Sequence, residues 1–188
     1  MHDVPYLNGN VGPEIVASMM AVAQELKRNI DLPMGIQILA AANKEALAVA
    51  QSANFEFIRT EGFVFGHLAD EGYIDSCAAE LLRYRKNIGA ENIAIFTDIK
   101  KKHSSHSISQ DVSISETAKA AAFFDSDGII ITGSSTGTEA SENELLEVKK
   151  NLDIPVIIGS GLSITNIEKY YSLADAFIVG SAFKKNGF

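Results

Sequence analysis

IPVIIGSGLSITN, residues 154–166, is an apolar run cut off by Gly159-Ser160-Gly161, with a helix signal a few residues later. A near copy follows in AFIVGSAFKKNG, residues 176–187. Each reads as a buried strand whose end carries glycine beside serine. Two such ends side by side present backbone N–H groups with no side chain in the way, which is how a protein holds an anion. The N–H groups of Gly159, Ser160, Gly161, Gly180 and Ser181 are the expected phosphate contacts.

Working outward, short apolar runs alternate with helical patterns. Strands are expected at 34–39, 55–60, 92–98, 127–133, 155–160 and 176–181. Their near-continuous Ile, Val and Phe content suits parallel strands covered on both faces. Helices are expected in PEIVASMMAVAQELKRN, with Pro13 at a first helical position, and in ANKEALAVAQSA, YIDSCAAELLRYRKNI, SISETAKAAAFF, SENELLEVKKNL and TNIEKYYSLA. Three carry the capping-box spacing: Ser113 with Glu116, Ser141 with Glu144, and Thr165 with Glu168.

Alternation of this kind means a parallel sheet with right-handed crossovers, either a (β/α)8 barrel or an open doubly wound sheet. A doubly wound nucleotide-binding sheet carries its glycine fingerprint in the first strand-to-helix turn. The early turns here, LAAANKEAL and RTEGFVFGHLADEG, lack it. Barrels of the phosphate-binding kind place it after the seventh and eighth strands. The run at 155–160 then becomes barrel strand seven, 176–181 strand eight, and 34–39 strand three. The expectation is one partial (β/α)8 barrel domain over residues 1–188, with barrel strands 3–8 present and two edges open.

Composition agrees with a globular domain: 188 residues, 46% hydrophobic and 21% charged. A net charge of -8 argues against nucleic acid and anionic lipid as general partners. The single cysteine, Cys77, excludes an intrachain disulfide, is expected as a packed thiol and fits a reducing compartment. No run approaches the roughly 18 apolar residues of a membrane span. The start, MHDVPYLNGN, has no signal-peptide pattern. An intracellular, soluble protein is expected, and a homo-oligomer is left open.

Reactive groups in barrels stand at strand C-termini. These positions give Asn43 after barrel strand three, Arg59 and Glu61 at strand four, Asp98 with Lys102 and His103 at strand five, and Thr132, Gly133, Thr136 and Gly137 after strand six. Asp3 would lie in the loop after the absent strand two. Asp98 and His103 suit an acid/base pair, and Lys102 an electrophile or phosphate clamp. Arg59, in a buried strand, needs an anionic partner, either a carboxylate of Glu61 or a neighbouring strand, or a ligand anion. Asp70 and Glu71 read as a helix cap or part of a lid. HExxH, P-loop, nucleophile-elbow and zinc spacings are absent. No cofactor is expected, and a divalent ion on Asp98 or Asp3 is left open.

The chain also resembles the BtpA family, which includes SgcQ-like proteins. The resemblance is carried by MHDVPY (1–6), LAAANKEALAVA (39–50), FIRTEGF (57–63), ADEGYIDSCAAELLRYRK (69–86), FTDIKKKH (96–103), IIITGSSTG (129–137), VIIGSGLSITNI (156–167) and IVGSAFKKNG (178–187). It implies a (β/α)8 barrel of the ribulose-phosphate-binding type. It also implies that relatives carry a further N-terminal part and continue beyond KKNG. Two functions follow from the two lines of reading. One is binding of a small phosphorylated metabolite, a sugar phosphate or nucleotide-like compound, by an isomerase, lyase or hydrolase. The other, implied by the family, is a non-catalytic assembly factor for a membrane complex, photosystem I in cyanobacterial relatives.

Overall fold

The structure, a computed structural model, describes residues 4–133 and 138–184. The chain begins with α1 (Pro13–Asn29), then β1 (Gly35–Ile36), α2 (Asn43–Ala53), β2 (Phe57–Thr60), β3 (His67–Ala69) and β4 (Gly72–Ile74). It continues with α3 (Ala78–Asn87), β5 (Ala94–Asp98), β6 (Ser104–Ser105), α4 (Ile114–Phe123), β7 (Gly128–Ile131), α5 (Glu142–Lys149), β8 (Val156–Ile158) and β9 (Ala176–Phe177). Six strands form one parallel sheet in the order β1-β2-β5-β7-β8-β9. The strand order follows the chain order, as in a barrel wall, and does not reverse as in a doubly wound sheet.

Along each strand the side chains alternate between the two faces of the sheet. Ile58 and Thr60 of β2 and Ile95 and Thr97 of β5 are fully buried. Phe57, Arg59, Phe96, Ile130 and Ile157 turn to the other face and line an apolar interior of about 790 Å³. Residues beside both edge strands, Gly35 to Gln37 and Ala176 to Val179, line that same interior, so the sheet curls. Its space is set by aromatic packing. The Phe57 and Phe96 rings lie 5.6 Å apart, and a Cβ on Gly35 would come within 2.1 Å of the Phe57 ring.

The helices cover the outside: α2 packs on β1 and β2, α4 on β7, α5 on β8, and α1 on α2. Ser113 caps α4 in a complete box, with Glu116 N donating to Ser113 Oγ at 3.1 Å and Ser113 N to Glu116 Oε2 at 2.9 Å. Ser141 caps α5 from one side, accepting from Glu144 N at 3.4 Å. A repeated device sets the opposite end of the sheet from the glycine loops. Glu56, Asp127 and Asp175 each stand one residue before a strand and accept the amide of Met34, Ile95 and Val156, at the start of the neighbouring strand, at 2.7–2.9 Å. Each is ion-paired to a base in the last turn of a helix: Lys27 of α1, Arg85 of α3 and Lys149 of α5.

Several expectations change. The helix read from Tyr73 to Ile88 is shorter, because Gly72–Ile74 is strand β4. It pairs antiparallel with β3, and β3 pairs with β6, making a separate three-stranded sheet, β4-β3-β6. The box read at Thr165 and Glu168 does not form. Thr165 Oγ1 pairs with Ser163 Oγ, Asn166 Oδ1 takes Ser163 N, and only a 3-10 turn, Ile167–Tyr170, follows. The runs at 34–39 and 176–181 shrink to two paired residues each, because these edge strands have a ladder neighbour on one side only.

Candidate functional site at the strand mouths

The inner-face alternation that carries Phe57 and Phe96 also carries Arg59 and Asp98, one pleat nearer the strand C-termini. Arg59 Nε and Nη2 donate to Asp98 Oδ2 and Oδ1, both at 2.8 Å. The partner that a buried arginine requires is therefore a carboxylate on the adjacent strand. Burial works against the Arg59 charge, and the Asp98 hydrogen bonds and charge outweigh it, so its pKa is raised.

Above this pair lies a cavity of about 570 Å³ whose walls include Gln37, Arg59, Glu61, Asp70, Glu71, Asp98, Lys101, Lys102 and His103. Glu61 is clamped on three sides. Its Oε1 accepts from Gln37 Nε2 at 3.1 Å, its Oε2 from Lys101 Nζ at 3.0 Å, and its backbone meets both ends of the Asn43 amide. Burial pushes the Glu61 carboxyl up, and the Lys101 ammonium opposes this only in part. Asp70 and Glu71 form the turn of the β3–β4 hairpin, which places them over the strand mouths rather than at a helix cap. Glu71 Oε2 is buried with no hydrogen-bond partner among the described residues.

A second cavity, about 490 Å³, is lined by Gly159 to Ser163, Gly180 and Ser181 together with Arg59 and Lys102. The two cavities thus share Arg59 and Lys102. Among the described residues, the N–H groups of Ser160, Gly161, Gly180 and Ser181 make no hydrogen bond. Gly159 differs: its N–H is spent on Ile131 O at 2.8 Å. What Gly159 contributes is space, since a Cβ there would meet Ile130 at 2.5 Å and stand 3.4 Å from Arg59 Nη2. Glu139, also on this cavity, is drawn into a cluster with Lys169, Asn166 and Tyr170 that holds its carboxyl at about 2.

Other expected ligand contacts serve the scaffold. Ser160 Oγ accepts from Gly133 N at 3.0 Å and donates to Thr138 O at 3.2 Å, tying the loop after β7 to the loop after β8. Thr132 Oγ1 accepts from Lys102 N at 3.2 Å. Asn43 is buried and spends its amide on Glu61 and on Cys77 Sγ, away from the cavity walls. Burial, as the leading cause, raises the Cys77 thiol pKa, as expected of a packed cysteine. Asp3, Thr136 and Gly137 lie outside the described residues. Among the described residues no three His, Cys, Asp or Glu side chains converge as metal ligands.

Gln37 and Lys101, the two side chains that hold the Glu61 carboxylate, are wall residues not expected from the sequence. Gln37 had a signal, as the one polar side chain in the apolar run MGIQIL. Lys101 is indistinguishable in sequence from its neighbours Lys100 and Lys102.

A curled parallel sheet with loops gathered over its C-terminal edge places the protein among TIM-barrel proteins, with six strands of the wall among the described residues. The chain belongs to the BtpA family, whose profile matches residues 1–188. It is 55% identical over 192 residues to an uncharacterized mitochondrial protein of Caenorhabditis elegans, covering 100% of this chain and 69% of that protein. It is 31% identical over 186 residues to the photosystem I biogenesis protein BtpA of Synechocystis, covering 98% of this chain and 64% of that one.

Among solved structures, FabK of Thermotoga maritima matches with a TM-score of 0.62 at 15% identity, over 92% of this chain and 49% of FabK. Orotidine 5'-monophosphate decarboxylase of Methanocaldococcus jannaschii, complexed with an inhibitor, matches with a TM-score of 0.57 at 15% identity, over 89% of this chain and 74% of that one. At these identities the likeness is one of fold. No helix among the described residues is long and apolar enough to cross a membrane.

Proposed function

We propose that the strand mouths bind a small phosphorylated metabolite, with its phosphate on the loops after β8 and β9 and the rest of the molecule under Asp70 and Glu71. The observation that carries this reading is the shared wall: Arg59 and Lys102 face both the glycine-loop cavity and the acidic cavity. One end offers backbone N–H groups without partners among the described residues. The other offers carboxylates, of which Glu71 has a buried oxygen with nothing to accept among the described residues. A phosphate ester carrying hydroxyl groups satisfies both ends, its phosphate on the open N–H groups and a hydroxyl on the buried Glu71 oxygen, where an unpaired polar atom is costly. The chemistry suited to these walls is proton transfer between carboxylate, imidazole and amine, as an isomerase, lyase or hydrolase uses.

The test is a thermal melt with inorganic phosphate, ribose 5-phosphate, fructose 6-phosphate and ribose. The expected result is a rise in Tm with the phosphorylated compounds, approaching about 2.7 kcal/mol of stabilisation at a hundredfold excess over Kd. No rise, or an equal rise with ribose, overturns the reading.

A second reading, a non-catalytic assembly factor for a membrane complex, is favoured by the name of the Synechocystis relative. The closer similarity to a protein of a non-photosynthetic animal makes a photosystem an unsuitable general client. Under this reading Asp98→Asn leaves assembly intact, whereas under the ligand reading it abolishes the phosphate-dependent rise or the turnover.

A further inference from the structure

We propose that Lys102 is a nucleophile that forms a protonated imine with the carbonyl carbon of a phosphorylated aldehyde or ketone; the inference rests on the phosphate-binding reading above. Three lysines follow Ile99, and the fold gives each a different fate. Lys100 Nζ donates to Ser109 O at 3.1 Å. Lys101 Nζ is ion-paired to the buried Glu61 carboxylate at 3.0 Å. Lys102 Nζ makes neither a hydrogen bond nor an ion pair among the described residues. Its backbone is nevertheless fixed, by the bond from Lys102 N to Thr132 Oγ1.

This half-buried amine stands where the two cavities meet. A ligand whose phosphate sits on the N–H groups of Ser160, Gly161, Gly180 and Ser181 places its adjoining carbons beside Lys102. Burial, and then the Arg59 guanidinium, lower the Lys102 pKa, while Asp98 pulls the other way. The balance enlarges the neutral, nucleophilic fraction, which is how lysines in desolvated, cation-flanked sites are activated. A lysine serving as a fixed positive charge is better made like Lys101, with a carboxylate holding it.

In the step itself, the Nζ lone pair forms a C–N bond to the carbonyl carbon, and the C=O π pair moves to oxygen. That oxygen takes a proton while the nitrogen releases one, giving a neutral carbinolamine. A second proton expels it as water and leaves the protonated imine, so one ammonium and one carbonyl become one iminium and one water. His103, on the same cavity wall, is placed to carry the protons, while Asp98 is held by Arg59.

The experiment incubates the full chain with dihydroxyacetone phosphate, or with glyceraldehyde 3-phosphate, and sodium cyanoborohydride, and then maps peptides by mass. The expected result is a reduced secondary amine at Lys102, about tenfold or more above any other lysine, as positioning beside a bound carbonyl provides. Inorganic phosphate suppresses it, dihydroxyacetone gives less, and Lys102→Met removes it. The wild-type peptide map decides even if that variant fails to fold. Adducts spread evenly over surface lysines, or none at Lys102, while the phosphorylated probe still raises Tm, overturn the imine and leave phosphate binding standing. No adduct and no rise in Tm overturn both.

Discussion

Arg59 and Asp98, on the inner faces of adjacent parallel strands, are joined by two 2.8 Å hydrogen bonds, with the Asp98 side chain 1% exposed and that of Arg59 22%. Removing Arg59 leaves the buried Asp98 charge unpaired. Arg59→Leu is expected to cost about 3–5 kcal/mol, and the double variant with Asp98→Leu less than the two single costs added. Urea unfolding of the four proteins measures this. Strictly additive costs would mean that the pair is not coupled.

Gly161 and Gly180 face the same cavity but differ in their surroundings. Gly161 has φ +74°, and a Cβ there would stand 2.3 Å from Thr138 O. At Gly180 a Cβ would meet nothing within 4 Å. Gly161→Ala is expected to lose about 1–3 kcal/mol and to weaken the phosphate response, since both strain and backbone contact oppose it. Gly180→Ala should stay within about 0.5 kcal/mol of wild type. A chemical melt of each, with and without phosphate, checks both, and equal costs would contradict the geometry.

The sheet was readable because each central strand is an apolar run bounded by polar turns, and period and length are local properties. The hairpin of β3 and β4 was not. Its strands are three residues each, one of them starts with glycine, and β3 gains a second partner in β6 across about 35 residues of chain. Arg59, Glu61, Asp98 and Lys102 were readable as strand-end residues. Their pairing was not, because register between strands decides that Arg59 meets Asp98 while Glu61 meets Lys101. Asn43 shows the same dependence on register: at the start of a helix after a strand it reads as a ligand contact, and in the structure its amide bonds the Glu61 backbone.

His67 gives the fold an acid sensitivity. It is 5% exposed, its Nε2 has no partner among the described residues, and its ring lies 5.4 Å from that of His106. Burial first, then Lys101 and His106, lower its pKa to about 4. The unfolded chain takes up this proton near 6.5, so between these values it binds more protons than the folded chain. Stability therefore falls as pH drops from about 6.5 to about 4, by up to about 3 kcal/mol from this residue. Glu61, with a raised pKa, acts in the opposite sense, its contribution falling as pH rises above 4.5. Stability of wild type minus that of His67→Gln, followed across this range by urea unfolding, isolates the histidine. A difference that is flat with pH would overturn the assignment.

The acid-before-strand device at the other end of the sheet can be tested at its most central copy. Asp127 Oδ2 accepts from Ile95 N at 2.8 Å and from Arg85 Nη1 at 3.1 Å, between the neighbouring strands β5 and β7. Ile95 is fully buried, so Asp127→Ala strands an amide donor where water does not reach, at an expected cost of about 1–3 kcal/mol. Asp127→Asn keeps an acceptor and loses the ion pair, which is partly exposed and worth less than about 1 kcal/mol. Glu56→Ala should be milder than Asp127→Ala, because it releases Met34 N beside the edge strand β1, where solvent can replace the acceptor. Hydrogen exchange separates this from a general loss of stability. The Ile95 amide should lose protection in Asp127→Ala beyond the change in global stability, and keep it in Asp127→Asn. If both variants expose it equally, the ion pair rather than the hydrogen bond holds β5 and β7 in register.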